Sequence, residues 1–108
     1  MSASLPDITA SDGQPVLATE MVDALTRAEF VYSDGATQTF DPNGSTTYVE
    51  GGQPTNGKWA VVEDGRFSSF WPPSYRATYD LRWLVKQGGV VGLSFTDVHG
   101  SRYDGLYR

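Results

Sequence analysis

The segment YRATYDLRWLVK, residues 75–86, decides the fold class because its odd and even positions differ in chemistry. The odd positions are Tyr, Ala, Tyr, Leu, Trp and Val, whereas the even positions are mostly charged or polar. Side chains alternate between the two faces of a β-strand, so this period of two predicts one long strand with an apolar and a charged face. We expect Tyr79, Leu81 and Trp83 to point into the protein.

Short runs of the same kind fill the chain after residue 29, separated by turns rich in Gly, Pro, Asn and Asp. Asp-Gly, Asn-Gly and Gly-Gly pairs supply the positive φ angles of tight hairpins, and no connection is long enough for a crossover helix. Seven such turns predict eight antiparallel strands, at residues 28–33, 36–41, 45–50, 58–63, 66–71, 75–86, 89–97 and 101–107.

A meander of this size removes its exposed edges by closing on itself. The predicted fold class is therefore all-β, an eight-stranded antiparallel up-and-down meander barrel with a short N-terminal helix. A two-sheet β-sandwich is the alternative, with Pro72-Pro73 as the point where a strand would change sheets.

The length of 108 residues fits one domain, so we assign residues 1–108 to a single β-barrel domain. Residues 1–14 are small, polar and acidic, and we expect a loose lead-in there. Over residues 15–28 apolar side chains recur at helical spacing after Pro15, which predicts an amphipathic helix. Residues 29–108 form the barrel.

Charge and composition exclude several classes of function. The net charge is −5, and residues 1–57 hold eight acids against one base, Arg27, which opposes nucleic-acid binding. With no cysteine and one histidine, we predict no metal site and no cofactor. There is no apolar run long enough for a membrane span and no signal-peptide pattern at the start. A cytoplasmic location is the simpler prediction, and a secreted or periplasmic one holds if a signal peptide was removed.

Large rings concentrate on particular strand faces, and aromatic residues make up 13% of the chain. Such rings offer apolar contact, while Tyr and Trp keep a polar atom that orients a ligand. We predict that the barrel binds a small, largely apolar molecule among Tyr48, Trp59, Phe67, Trp71, Tyr79, Trp83, Phe95 and Tyr103. A filled aromatic core is the structural alternative, since β-domains of this size bury several rings.

Two further hypotheses stay open. In the first, the protein is a small barrel enzyme, an isomerase, cyclase or hydrolase, in which Arg76, Asp80 and Arg82 point inward and act on the ligand. His99, with Asp97 two residues before it, is a weaker catalytic candidate because no nucleophile elbow accompanies it. In the second, the core is filled and the chain is an interaction module or a homodimer.

Three segments carry a resemblance to known proteins: residues 39–48, with a glycine turn followed by Tyr48, residues 57–61, with Gly-x-Trp, and the closing residues 100–108. Together they resemble small bacterial lipocalin-like and streptavidin-like barrels of the calycin type. The resemblance implies an up-and-down barrel whose ligand enters at one end.

Overall fold

The structure, a computed structural model, describes residues 9–63 and 65–108. Its eight strands form a closed barrel. Every strand pairs antiparallel with its neighbours in the chain, and β8 pairs with β1. The elements are α1 (Ala18–Thr26), β1 (Phe30–Tyr32), β2 (Thr37–Phe40), β3 (Ser45–Glu50), β4 (Gln53–Glu63), β5 (Arg66–Trp71), β6 (Tyr75–Lys86), β7 (Gly89–Asp97) and β8 (Arg102–Tyr107).

The predicted eight-stranded meander barrel is thereby confirmed, and the alternative sandwich is wrong. Phe30 in β1 lies opposite Tyr107 in β8, which closes the sheet. At the Pro72-Pro73 turn the chain does not change sheets, because β5 and β6 remain paired up to Trp71 opposite Tyr75.

The long strand β6 has the predicted orientation. Leu81 and Trp83 are 0% and 1% exposed and belong to the core, whereas Arg82 between them is exposed. Tyr79, on the same face but nearer the start of the strand, is half-buried. From Tyr79 to Trp83 the apolar face of the alternating segment therefore points into the barrel. Tyr75 at the mouth is 62% exposed, and Leu84 on the opposite face is buried where the strand has a bulge.

Strand β4 begins at Gln53, five residues before its predicted start, so the expected seven-residue turn at 51–57 is wrong. Only Gly51 and Gly52 make the turn, both with positive φ. Gly57 is a strand residue, and a Cβ atom there would lie 2.5 Å from the ring of Trp71 and 2.7 Å from the carbonyl oxygen of Phe70. This glycine makes room for a neighbouring ring, which a sequence pattern cannot separate from a turn signal.

The N-terminal region also differs from the prediction. The helix spans Ala18–Thr26 and not residues 15–28, because Pro15 and Val16 pair with β6 in an extended conformation. The Val16 amide donates to the Leu81 carbonyl at 3.0 Å, and the Gly13 amide donates to the Trp83 carbonyl at 2.9 Å.

Residues 12–16 thus extend the sheet beside the far half of β6. The described part of the predicted loose lead-in is accordingly held by hydrogen bonds. Residues 1–8 lie outside the described part of the chain.

The meander places alternate turns at opposite ends of the barrel. We call one end the mouth; it carries the turns at residues 33–36, 51–52, 72–74 and 98–101. At the other end α1 packs against β2 and β4 and buries Met21, Ala24 and Leu25 in the core. One end is therefore covered by the helix and the other is available for a ligand. In the described part of the chain no helix has the length and apolarity needed to cross a membrane.

Candidate functional site

A cavity of about 770 Å³ opens at the mouth of the barrel. This volume lies within the range of roughly 300–1,000 Å³ that is typical of small-molecule sites. Its lower wall is aromatic and buried, whereas its rim is polar and exposed. The lining residues are Tyr32, Ser33, Asp34, Gln38, Tyr48, Phe67, Ser69, Trp71, Tyr79, Phe95, Arg102, Tyr103 and Asp104.

The aromatic wall is built from side chains at the inward positions of adjacent strands. Phe67 stacks on Tyr79 with ring centroids 5.5 Å apart, and Phe95 meets the edge of Phe67 at 5.9 Å. Tyr48 and Trp71 make an edge-to-face contact nearer the opening, with ring centroids 6.5 Å apart. Because these rings support one another across four strands, the wall is held in place in the absence of a ligand.

Six of the eight predicted ligand-binding residues line this cavity. They are Tyr48, Phe67, Trp71, Tyr79, Phe95 and Tyr103. Tyr103 is the most exposed of these six residues, at 49%, which places it at the rim.

The two other predicted residues, Trp59 and Trp83, do not line the cavity and belong to the buried core. Trp59 donates a hydrogen bond from its indole nitrogen to the carbonyl oxygen of Asp41 at 3.0 Å, near the end covered by α1. Both point inward as expected but lie below the floor of the cavity. Their position along the barrel axis, and not their face, separates them from the site.

A chain of buried polar groups crosses one side of the cavity. The Tyr32 hydroxyl donates to Gln38 Oε1 at 2.7 Å, Gln38 Nε2 donates to Thr46 Oγ1 at 2.9 Å, and the Thr46 hydroxyl donates to the carbonyl oxygen of Thr39 at 2.8 Å. On the opposite side Trp71 donates its indole N–H to Ser69 Oγ at 3.1 Å. Each of these buried groups has a partner, which fixes its orientation toward the cavity.

The sequence analysis missed Tyr32, Gln38 and Ser69 as site residues. Each stands one step along the inward face from a buried ring: Tyr32 from Phe30, Gln38 from Phe40, and Ser69 from Phe67. A polar residue at an inward position was the signal that would have identified them, since a filled core disfavours such groups.

Three tyrosines of the cavity, Tyr32, Tyr48 and Tyr79, have raised phenol pKa values. Burial, followed by the nearby Tyr75, Tyr103 and Asp97, raises the pKa of Tyr79 to about 12. Burial raises the pKa of Tyr32 further, and burial together with Glu50 and Asp34 raises the pKa of Tyr48. These phenols keep their protons at neutral pH, and the Tyr32 hydroxyl uses its proton in the hydrogen bond to Gln38.

The charged face of β6 lies outside the barrel. Arg82 Nε donates to Asp80 Oδ2 at 3.0 Å, and Arg82 also donates from Nη1 to the carbonyl oxygen of Gly13 at 3.1 Å. Arg76 lies over the ring of Phe70, with 4.5 Å between the guanidinium carbon and the ring centroid. The inward orientation of Arg76, Asp80 and Arg82 that the enzyme hypothesis required is wrong, because the opposite face of the strand fills the core.

His99 lies exposed in the turn between β7 and β8. The Asp97 carboxylate accepts hydrogen bonds from the backbone amides of His99 at 2.9 Å and Ser101 at 3.0 Å. This is the pattern of a turn stabilised by an aspartate. Among the residues that the structure describes, no group of three or more histidine or acidic side chains is arranged to hold a metal ion.

Comparisons of the chain with protein-family models, with curated proteins and with solved structures gave no match. The up-and-down barrel that the calycin-type resemblance implies is present, and membership of that family stays a prediction.

Proposed function

We propose that the barrel binds one small, largely apolar ligand in the cavity at its mouth. The observation that carries the proposal is the size of the cavity together with its ring-lined wall: about 770 Å³ lies open at the mouth, above rings that pack against one another across the barrel. A ligand that enters this space covers the half-buried rings of Tyr48, Trp71 and Tyr79 and removes their apolar surface from water.

The polar groups of the wall suit a ligand with a few hydrogen-bonding atoms. Tyr32, Gln38 and Ser69 lie on the wall in fixed orientations, and burial raises the pKa of the Tyr32 phenol. A site of this kind takes an apolar body and orients it by one or two polar contacts.

A fluorescent probe tests the proposal directly. N-phenyl-1-naphthylamine is neutral and apolar, and its emission rises when it leaves water. With about 17 non-hydrogen atoms at roughly 0.3 kcal/mol each, we expect a dissociation constant on the order of 10⁻⁴ M or tighter when protein is titrated into the probe.

Two serine substitutions on the same strand separate cavity binding from surface adsorption. Ser69 is 3% exposed and lines the cavity, whereas Ser68 lies on the outer face of β5. Ser69→Phe places a ring in the cavity and should weaken probe binding at least fivefold, while Ser68→Phe leaves it unchanged. Circular dichroism establishes that both variants remain folded. Equal affinity in the two variants, or no binding by the unmodified protein, contradicts the proposal.

A further inference from the structure

At the mouth, the inward faces of three strands end on acidic side chains, whereas basic side chains stand on outward positions. The inward series of β1, Phe30 and Tyr32, continues to Asp34 in the following turn, and Asp34 lines the cavity. The inward series of β3 ends on Glu50. The series Leu93 and Phe95 of β7 ends on Asp97. Of these three carboxylates, that of Asp34 belongs to a residue that lines the cavity, whereas Glu50 and Asp97 lie near it without lining it.

Basic side chains at the mouth stand on outward positions. Among the described residues these are Arg76, which lies over the outer ring of Phe70, and Arg102, which alternates with the inward Tyr103. Arg102 reaches the rim, but its Nε and Nη2 atoms donate to the two carboxylate oxygens of Asp104 at 2.8 and 3.4 Å. Arg102 and Asp104 both line the cavity, and as an ion pair they add no net charge to the rim, so Asp34 is the unbalanced charge among the lining residues.

These carboxylates add to the effect of burial on the pKa values of two tyrosines in the cavity. The pKa of Tyr48 is raised by burial, then by Glu50 and Asp34, and the pKa of Tyr79 is raised by burial, by neighbouring tyrosines and by Asp97. The carboxylates among these causes repel an anion placed beside the phenol oxygens. The same carboxylates favour a positive charge.

The aromatic wall adds to this preference. Tyr48 and Trp71 make an edge-to-face contact beside the upper cavity, and the ring centroid of Tyr32 lies 6.2 Å from that of Tyr48. Aromatic faces attract a cation by about 0.5–2 kcal/mol, most strongly when it is shielded from water. A positively charged group that lies against the cavity side of these rings shares the cavity with Asp34, which also lines it.

We propose that the ligand of this cavity is an organic cation, an apolar body that carries one ammonium group, with the ammonium held near Tyr48, Trp71 and Asp34. The inference rests on the proposed function, because it assigns a charge to the ligand of the same site. The cation–π contacts and the acidic rim supply the preference for a positive ligand, and the lower ring wall supplies the contact for its apolar part.

A pair of isosteric ligands tests the charge preference. Benzoylcholine carries a trimethylammonium group, and 3,3-dimethylbutyl benzoate has a carbon atom in place of the nitrogen and no charge. Direct calorimetric titration of each ligand should show roughly tenfold tighter binding of the cation at low ionic strength. The difference should shrink as sodium chloride is added.

Two aspartate substitutions supply the matched control. Asp34→Asn keeps the oxygen that accepts the Ala36 amide at 3.0 Å and removes one negative charge at the rim, so the preference should fall about threefold. Asp41→Asn removes the same charge in the turn at the opposite end of the barrel and should leave the preference unchanged.

The outcomes separate this inference from the proposed function. Equal or tighter binding of the neutral ester, no binding of benzoylcholine, or an equal effect of Asp34→Asn and Asp41→Asn overturns the assignment of a cation. Binding of N-phenyl-1-naphthylamine in that case still supports an apolar ligand site. Conversely, the anionic probe 8-anilinonaphthalene-1-sulfonate has the same ring body with a sulfonate, and it should bind at least tenfold more weakly than N-phenyl-1-naphthylamine.

Discussion

The hydroxyl group of Tyr107 donates a hydrogen bond to the backbone carbonyl of Ala24, which joins the last strand of the barrel to the helix that covers its lower end. Tyr107 is 1% exposed, and Ala24 lies in the last helical turn, where carbonyl groups lack a partner within the helix. The phenol therefore satisfies a buried acceptor that the helix cannot satisfy by itself. Helix and barrel are coupled through this contact.

Replacing Tyr107 by Phe should lower the free energy of unfolding by about 1–3 kcal/mol, because the Ala24 carbonyl would be left buried without a donor. Urea denaturation followed by circular dichroism measures the loss. Tyr75→Phe is the matched control, since Tyr75 is 62% exposed at the opposite end, and its effect should stay within about 0.5 kcal/mol. Equal stability of the two variants would show that water reaches the Ala24 carbonyl.

Val16 lies in the extended segment beside β6 and is fully buried, although it precedes the helix and every strand of the barrel. Val16→Ala should cost about 2 kcal/mol of unfolding free energy, through lost apolar contact and the small cavity left behind. Val62→Ala removes the same two methyl groups from a side chain that is 52% exposed and should cost less than 1 kcal/mol, about the spread of strand propensities. Comparable losses would mean that residues 12–16 are not part of the core structure in solution.

The sequence predicted the barrel well because its two strongest signals are local. The period of two in Tyr75–Lys86 fixes which face of β6 is buried, and the positive φ of Gly44 and Gly88 marks two of the tight turns that join antiparallel strands. The sequence analysis placed Gly57 in a turn, because glycine is common both in turns and where a neighbouring group packs closely. Only the position of Trp71 in space distinguishes the two uses.

The candidate site was less predictable. The alternation of odd and even positions shows which face of a strand a side chain lies on, but not how deep it lies along the barrel axis. Trp59 and Trp71 both point inward, yet one lies in the core and the other lines the cavity. Depth depends on the stagger between neighbouring strands and on how far α1 covers the lower end. The segment that pairs with the far half of β6 was equally hidden, since Pro15 indicates a helix start more often than an extended partner.

Gly92 in β7 is packed against β8 so closely that no side chain fits. A Cβ atom at Gly92 would lie 2.0 Å from the carbonyl oxygen of Gly105 and 2.9 Å from the Cα atom of Leu106, both backbone atoms that move only if the strands separate. Gly92→Ala should therefore lower the free energy of unfolding by about 2–3 kcal/mol. Amide hydrogen exchange should rise between β7 and β8 and stay unchanged between β3 and β4, which serves as the internal control; uniform exchange would contradict a local cause.

Tyr79 makes the stability of the barrel sensitive to alkaline pH. Burial first, and then neighbouring tyrosines and Asp97, raise the pKa of its phenol from 10.0 to about 12. Below pH 10 the folded and unfolded chains both hold this proton, so its contribution is fully present; between pH 10 and 12 the unfolded chain loses the proton first, and the free energy of unfolding falls. Urea denaturation at intervals from pH 8 to pH 12 should show this decline. In Tyr79→Phe the slope of unfolding free energy against pH should be smaller, by the equivalent of up to one proton released on unfolding. Parallel curves for the two proteins would show that the Tyr79 phenol ionises equally well in the folded and unfolded chains.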